Sequence, residues 1–581
     1  MAPRHSILFM VMRRMRAPTI VLIAVYAISV LGMSLVPGVD AEGRPAPPLS
    51  VFHAFYFVSF TATTIGFGEI PTAFGNAQRM WVTVTIYLSV IGWSYMIVSL
   101  LALAQDRAFR LALAANRFSW QVRRISEPFY LICGCGETGE LVLHALDRLG
   151  VRCVVVEIDE ERVNELELED LRADTPTLLG DVRTPRTLAL AGLRSRWCRG
   201  ALALTDDDEA NLAVAASARL LNPNLQVIAR AQQLKTAANM ASFGVRRVVN
   251  PFEAFADYLR LAMREPSCYR LLDWLTALPA SSLRKERPPP RGDWVICGHG
   301  RFGTAVARRL KDERIGLKIV DPDPAAAKDE RVIRGVGTEA AVLREAGIAD
   351  AEGLVAATDS DVANLAIAVT AREINPDVFL VVRQNAEGSE RLFAAIEPDV
   401  VMDSSEIIAH ECIAVIMSPL LEGFLDVVRG ERDAWASALI RRLETTLGDD
   451  APAPWSVRID RASAPALFAA ASARDSQVTL GDILRDPLDR TRALACVPLM
   501  LRRADGSTVV LPGPDEALKP MHALLLASSP GVRARVEMTI TNANELEYVC
   551  TGVDRRTGWI WQAISNRRRK PAAGAGPTET T

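Results

Sequence analysis

Thr61-Ala62-Thr63-Thr64-Ile65-Gly66-Phe67-Gly68-Glu69 lies between two apolar runs, and the rest of the chain is read outward from it. Glycines alternate with Ile65 and Phe67, so an extended backbone can turn its carbonyls towards one axis. Gly66 and Gly68 supply the positive or otherwise unusual φ that residues with a Cβ resist. A short polar, glycine-bearing stretch at membrane depth has to line water or be buried in protein.

The flanking runs set that depth. Pro18 and Pro37 enclose TIVLIAVYAISVLGMSLV, 18 residues that at about 1.5 Å each reach across most of a ~30 Å hydrocarbon core. Trp81 to Ala104 is longer and can cross with some tilt. The first run is not read as a cleaved signal, because it ends in Pro37-Gly38 without a small-residue cleavage site. Arg4, Arg13, Arg14 and Arg16 precede the first run, and Arg107, Arg110, Arg117, Arg123 and Arg124 follow the second. Only Arg44 and Arg79 lie between. The positive-inside rule then puts both termini in the cytoplasm. Ser50 to Ala62 is apolar and aromatic but too short to cross, and reads as a re-entrant helix. Its negative dipole end points inward and favours a cation. His53 on it reads as a packing or vestibule residue, and Gly92 in the second run is a candidate hinge.

Residues 64–69 resemble the Thr-Val-Gly-Tyr-Gly-Asp selectivity filter of potassium channels, with Ile65, Phe67 and Glu69 as conservative replacements. The resemblance implies a potassium channel in which the carbonyls of Thr64, Ile65, Gly66 and Phe67, with the Thr64 hydroxyl, replace the hydration shell of K⁺. It also implies a homotetramer, since one strand per chain cannot make a ring, and a multi-pass protein of the plasma membrane. Phe67 lacks the tyrosine hydroxyl that can brace a filter, Ile65 adds a methylene, and Glu69 keeps the charge at the mouth. A non-selective cation channel is the alternative these changes leave.

Beyond a polar, helix-compatible linker (105–128), a strand-like run at Phe129 to Cys133 enters Gly134-Cys135-Gly136-Glu137-Thr138-Gly139 and then a helical pattern. Val151 to Val156 follows and ends at Glu157. This is the βαβ dinucleotide fingerprint in its expected context. It returns 164 residues later: Trp294 to Cys297 leads into Gly298-His299-Gly300-Arg301-Phe302-Gly303, and a second run ends at Asp321. Thr205-Asp206-Asp207-Asp208-Glu209-Ala210-Asn211 answers Thr358-Asp359-Ser360-Asp361-Val362-Ala363-Asn364, and Arg230 answers Arg383. One GxGxxG is weak; two in register, each with its acid, are strong.

The paired units resemble RCK (TrkA-N-like) domains, the regulators of K⁺ conductance that assemble into gating rings. The fold class is then an α-helical two-span pore domain fused to α/β: two tandem Rossmann-like doubly wound parallel sheets plus a small α+β C-terminal lobe. The expected division is a cytoplasmic N-terminus (1–17), a pore domain (18–104), the linker, a first RCK domain (129–290), and a second Rossmann lobe with crossover helix (291–430). A C-terminal lobe (431–566) and a disordered tail (567–581) complete it. Crossover helices are expected at Pro251 to Leu275 and Ser404 to Val428.

The expected ligand is NAD(H) or an adenine nucleotide. Its candidate contacts are Gly134, Gly136, Thr138, Gly139, Glu157, Asp181, Thr205 and Asp206 in the first unit. In the second they are Gly298, Gly300, Arg301, Phe302, Gly303, Asp321, Thr358 and Asp359. Glu157 and Asp321 suit a ribose diol, and Arg301 offers a forked cation for a phosphate. Arg230 and Arg383 read as partners of structural ion pairs. Ca²⁺ regulation is known among RCK proteins, which makes Glu165, Glu167, Glu169 and Asp170 a candidate cation site, though such a run also describes a solvated face.

The net charge of −3 gives no sign of nucleic-acid binding. Nine cysteines without a CxxC pair read as reduced core residues. Six scattered histidines and the lack of a Ser/His/Asp or Cys/His constellation argue against an enzyme. A non-conducting RCK regulatory subunit of a K⁺ transport system is the remaining alternative.

Overall fold

The computed structural model describes residues 3–39, 44–67, 74–276, 287–323, 332–448, 451–473, 478–529 and 531–553. Gly68, Glu69 and the 567–581 tail lie outside the described residues.

The first long helix is Pro3–Leu35, with Pro18 inside it rather than at its start. A helix tolerates one proline at the loss of a single backbone bond and a kink. It stops two residues before the expected end because Pro37 disfavours helical backbone at the residue before it. The second long helix, Asn76–Gln105, runs without interruption through Gly92. Both are long and apolar enough to cross a membrane. They pack at small residues: a Cβ on Gly32 would stand 2.0 Å from the Trp81 ring, and Trp81 donates to the Ser29 carbonyl at 3.1 Å. Gly92 faces Leu22 and Val25, with room for a methyl at ordinary contact distance. It serves here as a packing surface within a continuous helix, not as a break.

Val51–Ala62 is a helix between them, capped by Ser50, whose hydroxyl also meets His53 Nδ1 at 2.8 Å. Its Ala54, Phe57 and Val58 bury against Met33 and Leu49. Asp106 then caps a separate linker helix, Arg107–Arg124, and pairs with Arg14 at 3.0 Å.

Each Rossmann unit is a six-stranded parallel sheet with the strand order expected of a doubly wound fold. The first runs Thr177–Leu179, Arg152–Glu157, Phe129–Cys133, Cys198–Ala203, Gln226–Arg230, Arg247–Val249 across the sheet. The second repeats it with Val332–Arg334, Leu317–Asp321, Trp294–Cys297, Gly353–Ala356, Phe379–Gln384, Val400–Asp403. Buried parallel strands explain why these runs are continuously apolar.

The crossover segments each break into two helices, Pro251–Arg264 with Pro266–Thr276 and Ser404–Met417 with Pro419–Gly430. Prolines at 266 and 419 begin the second members, a position where a missing N–H costs nothing. The first members are exchanged between units. Phe252 and Phe255 of the first unit pack on Phe302 of the second, and Arg309 pairs with Asp257 at 2.6 Å. Reciprocally, Ile408, Ala409 and Cys412 pack on Leu143 and Leu146 of the first unit. At the centre of this junction Glu411 pairs with Arg247 at 2.9 Å and Arg429 at 3.2 Å and accepts from Tyr258.

The second members share one core with the helix Asp433–Leu447 and the C-terminal sheet. That sheet is antiparallel, in the order Ala453–Arg458, Ala523–Ser528, Cys496–Arg502, Thr508–Val510. Asp433 fastens it to the first unit through the Ser267 hydroxyl at 3.0 Å, while its own N–H donates to Glu265 at 2.7 Å.

Candidate pore lining and nucleotide cleft

After Ala62 the chain leaves the short helix through a turn at Thr63 and Thr64 and runs on without regular structure to Phe67. The N–H groups of Ile65 and Gly66 both donate to the Phe60 carbonyl, at 3.0 and 3.3 Å. Gly66 has φ +64°, as its residue type allows, and Thr64 has φ +62°. Left-handed backbone is uncommon for a β-branched residue, and alternation of glycines alone did not foresee it. Ile65 and Phe67 are 59% and 63% exposed, and Phe67 meets the Phe60 ring edge to face.

In each Rossmann unit the three glycines have distinct work. Gly134 and Gly298 have φ +89° and +107°. A Cβ on Gly139 would meet the Gly134 carbonyl oxygen at 2.3 Å, and one on Gly303 the Gly298 oxygen at 1.9 Å. These two therefore let the helix sit on the loop. Gly136 and Gly300 face open space, where a pyrophosphate can approach the backbone.

Glu157 and Asp321 brace the loops. The Cys135 N–H donates to Glu157 at 2.5 Å, and the Ile158 and Asp159 N–H groups donate to its other oxygen. The His299 N–H donates to Asp321 at 2.6 Å. Thr205 and Thr358 are held by Asn211 and Asn364, whose amides reach the carbonyls of Arg230 and Arg383. Asp206 pairs with Arg230 at 2.5 Å, and Asp359 pairs with Arg383, so those arginines serve ion pairs. Asp181 accepts from the Arg183 N–H in the turn after its strand.

Two expected contacts lie elsewhere than anticipated. Phe302 is fully buried beneath the crossover helix, so its side chain is core. Arg301 points away from its own loop: it donates to Gln232 and stacks 5.4 Å from the Phe252 ring, both in the first unit. The exchanged crossover helix is the physical reason, because it places Phe252 beside the start of the Arg301–Asp312 helix.

A cleft of about 810 Å³ results. Gly134, Gly136, Thr138, Glu157 and Asp206 line it from the first unit, and Arg301, Arg383 and Ser405 from the second. Thr138, buried, donates to Ser405 at 3.0 Å. Burial pushes the carboxyl of Asp403, at the same cleft, above the usual range. Gln232, Phe252, Asp403 and Ser405 were not singled out from the sequence. The repeat offset contained them: Thr205 and Thr358 stand 153 positions apart, and so do Gln232 and Asn385, and Asn250 and Asp403.

Cys133, Cys135 and Cys297 are buried beside the loops, and burial raises their thiols, Cys297 to about 12. They are inert core residues at neutral pH. Of the acidic run, Glu165, Glu167 and Asp170 are exposed.

Two family models match parts of the chain. The Ion channel family matches residues 19–106, and the TrkA-N domain matches 130–251 and again 294–403. Potassium channel protein 1 of Methanocaldococcus jannaschii is 23% identical over 202 residues, 35% of this chain and 59% of that one. The Trk system potassium uptake protein TrkA homolog of Pyrococcus horikoshii is 29% identical over 136 residues, 22% of this chain and 60% of that one. The chain thus spans about 60% of the length of these curated relatives. Among solved structures, the GsuK channel bound to NAD aligns at 17% identity and a TM-score of 0.44, over 92% of this chain and 99% of that one. The chain thus joins a segment similar to the Ion channel family to two TrkA-N domains, and the curated relatives it resembles are potassium channel and potassium uptake proteins.

Proposed function

We propose that four copies of this chain form a K⁺-conducting pore in the plasma membrane, gated by NAD(H) or an adenine nucleotide in the cleft between the paired units. The observation that carries the pore is the irregular segment Thr64 to Phe67, presented at the end of a short helix between two membrane-length helices. Its exposed carbonyl-bearing backbone, with Phe52 and Phe55 also bare, is suited to burial against neighbouring copies around an axis. The arginines outside the two spans favour cytoplasmic termini and place the paired units on that side.

Within the cleft, Arg301 is the cation best placed to turn to a ligand phosphate. Its partner Gln232 is a neutral amide, whereas Arg230 and Arg383 are held by carboxylates, and charge-assisted bonds are roughly twice as strong as neutral ones. A nucleotide on the first unit's glycine loop would then also touch the second unit. Ligand binding changes the junction between units, and the Arg107–Arg124 linker transmits the change to the second span. Such a ligand shifts the pore only by the difference in its affinity for the closed and open states.

The test is the reversal potential of purified protein in a bilayer under a K⁺/Na⁺ gradient, with NAD(H) and ADP perfused in turn on the cytoplasmic side. Reversal near the K⁺ equilibrium potential, lost in Gly66→Ala and dependent on nucleotide, is the expected result. Reversal near zero would make the pore non-selective, and silence under every ligand would assign the chain to a regulatory subunit.

A further inference from the structure

Glu140, His144 and Glu169 bring three metal-ligand atoms within 4.8 Å of one another on the first Rossmann unit. We propose that they form a site for a divalent transition-metal ion of the zinc class.

Glu140 and His144 are one helical turn apart on Glu137–Arg148, so their side chains share a face. Glu169 comes from the end of the neighbouring helix Glu160–Leu168. His144 Nε2 stands 3.8 Å from Glu140 Oε1 and 3.5 Å from Glu169 Oε2. A tetrahedral ion with bonds of about 2.0–2.1 Å sets its ligand atoms roughly 3.3 Å apart. The two His144 distances need shifts of a few tenths of an ångström, and the two carboxylates, within 4.8 Å of each other, have to close by up to about 1.5 Å through side-chain torsions.

A separate observation points to a missing ligand. Glu169 Oε2, the oxygen aimed at His144, is shut off from solvent and accepts no hydrogen bond. A buried carboxylate oxygen left in that condition is costly unless a cation meets it. Arg162 occupies the other oxygen of Glu140, Oε2, at 3.0 Å. It therefore leaves Oε1 open and orients the carboxylate, as an outer partner of a metal ligand does. Its positive charge opposes the ion, and Glu165, 3.5 Å away, offsets it. One imidazole nitrogen with two carboxylates suits zinc and its neighbours. Calcium, which takes six to eight oxygens, does not fit a set centred on histidine.

Arg162 also lines the nucleotide cleft, so an ion on Glu140 would bear on the guanidinium that faces the ligand.

The full-length protein, stripped with a chelator, would be titrated with ZnCl₂ by calorimetry and with Co²⁺ by visible absorption. One ion per chain is expected, with the visible bands of tetrahedral Co²⁺ and no thiolate charge-transfer band. His144→Ala and Glu169→Gln should each weaken Zn²⁺ binding at least tenfold and remove the Co²⁺ bands, with metal-free melting curves recorded beside them. If His144→Ala unfolds, Glu169→Gln and Glu140→Gln carry the comparison. Zn²⁺ affinity unchanged in the folded variants, or no Zn²⁺ uptake by the parent protein, would overturn the proposal and leave His144 as a polar neighbour of two glutamates.

Discussion

Arg301, the first residue of the second unit's leading helix, donates its hydrogen bond to Gln232 of the first unit. A residue embedded in one glycine loop thereby serves the cleft of the other. Arg301→Ala should weaken nucleotide binding to that cleft about tenfold or more, the worth of one hydrogen bond to a charged group. Calorimetry with ADP checks it. Equal affinity in the variant would return Arg301 to a purely structural contact.

The glycines of the first loop should separate folding from binding. Gly136 has φ −72° and faces open space, so Gly136→Ala should melt like the parent yet lose nucleotide affinity to the added methyl. Gly139→Ala drives a Cβ into the Gly134 carbonyl and should cost about 2 kcal/mol or more of stability. Melting temperature and ligand titration on the two variants together make the distinction.

Glu411 ties the two units together, and its ionisation should appear in acid stability. Burial raises its pKa, but Arg247, Tyr258 and Arg429 outweigh that and hold it below the ordinary 4.5. A carboxyl depressed in the folded state contributes stability that is complete above the unfolded value and is lost as pH falls through the folded one. Glu411→Gln should therefore destabilise at pH 7, by about 3 kcal/mol for a broken buried pair, and should flatten the acid limb below pH 4.5. Denaturation at pH 7 and across pH 3 to 5 (roughly the range spanning carboxylate titration) reads both effects.

The packing of the two long helices rests on Gly32. With Trp81 only 2.0 Å from the position of a Cβ, Gly32→Val has to push the helices apart and break the Trp81 bond to Ser29. The expected result is loss of the assembled protein on size exclusion, whereas Gly92→Ala, which has room, should assemble normally. Failure of both or neither would contradict the close approach at Gly32.

Much was legible without coordinates because the informative patterns are local. An apolar run long enough to span a bilayer, a glycine forced by positive φ and an acid closing a strand each depend on neighbours within a few residues. The repeat at constant offset likewise made two like-folded units evident, and each unit folded as its own sequence signals required. That Arg230 serves an ion pair was read from the sequence, whereas its partner, Asp206, was not.

The sequence by itself determined the elements: two long apolar helices, a short apolar helix between them, and two parallel sheets with glycine loops. Tertiary structure alone decided which unit each element serves. Pro251–Arg264 follows the first sheet in the chain but buries Phe252 and Phe255 on Phe302 of the second, and Ser404–Met417 makes the reverse exchange. Sequence distance carries no information on such a swap, since either unit offers an apolar face of the same period. Which face wins depends on packing three-dimensional surfaces together, and that choice turned Arg301 from its own loop to its neighbour's.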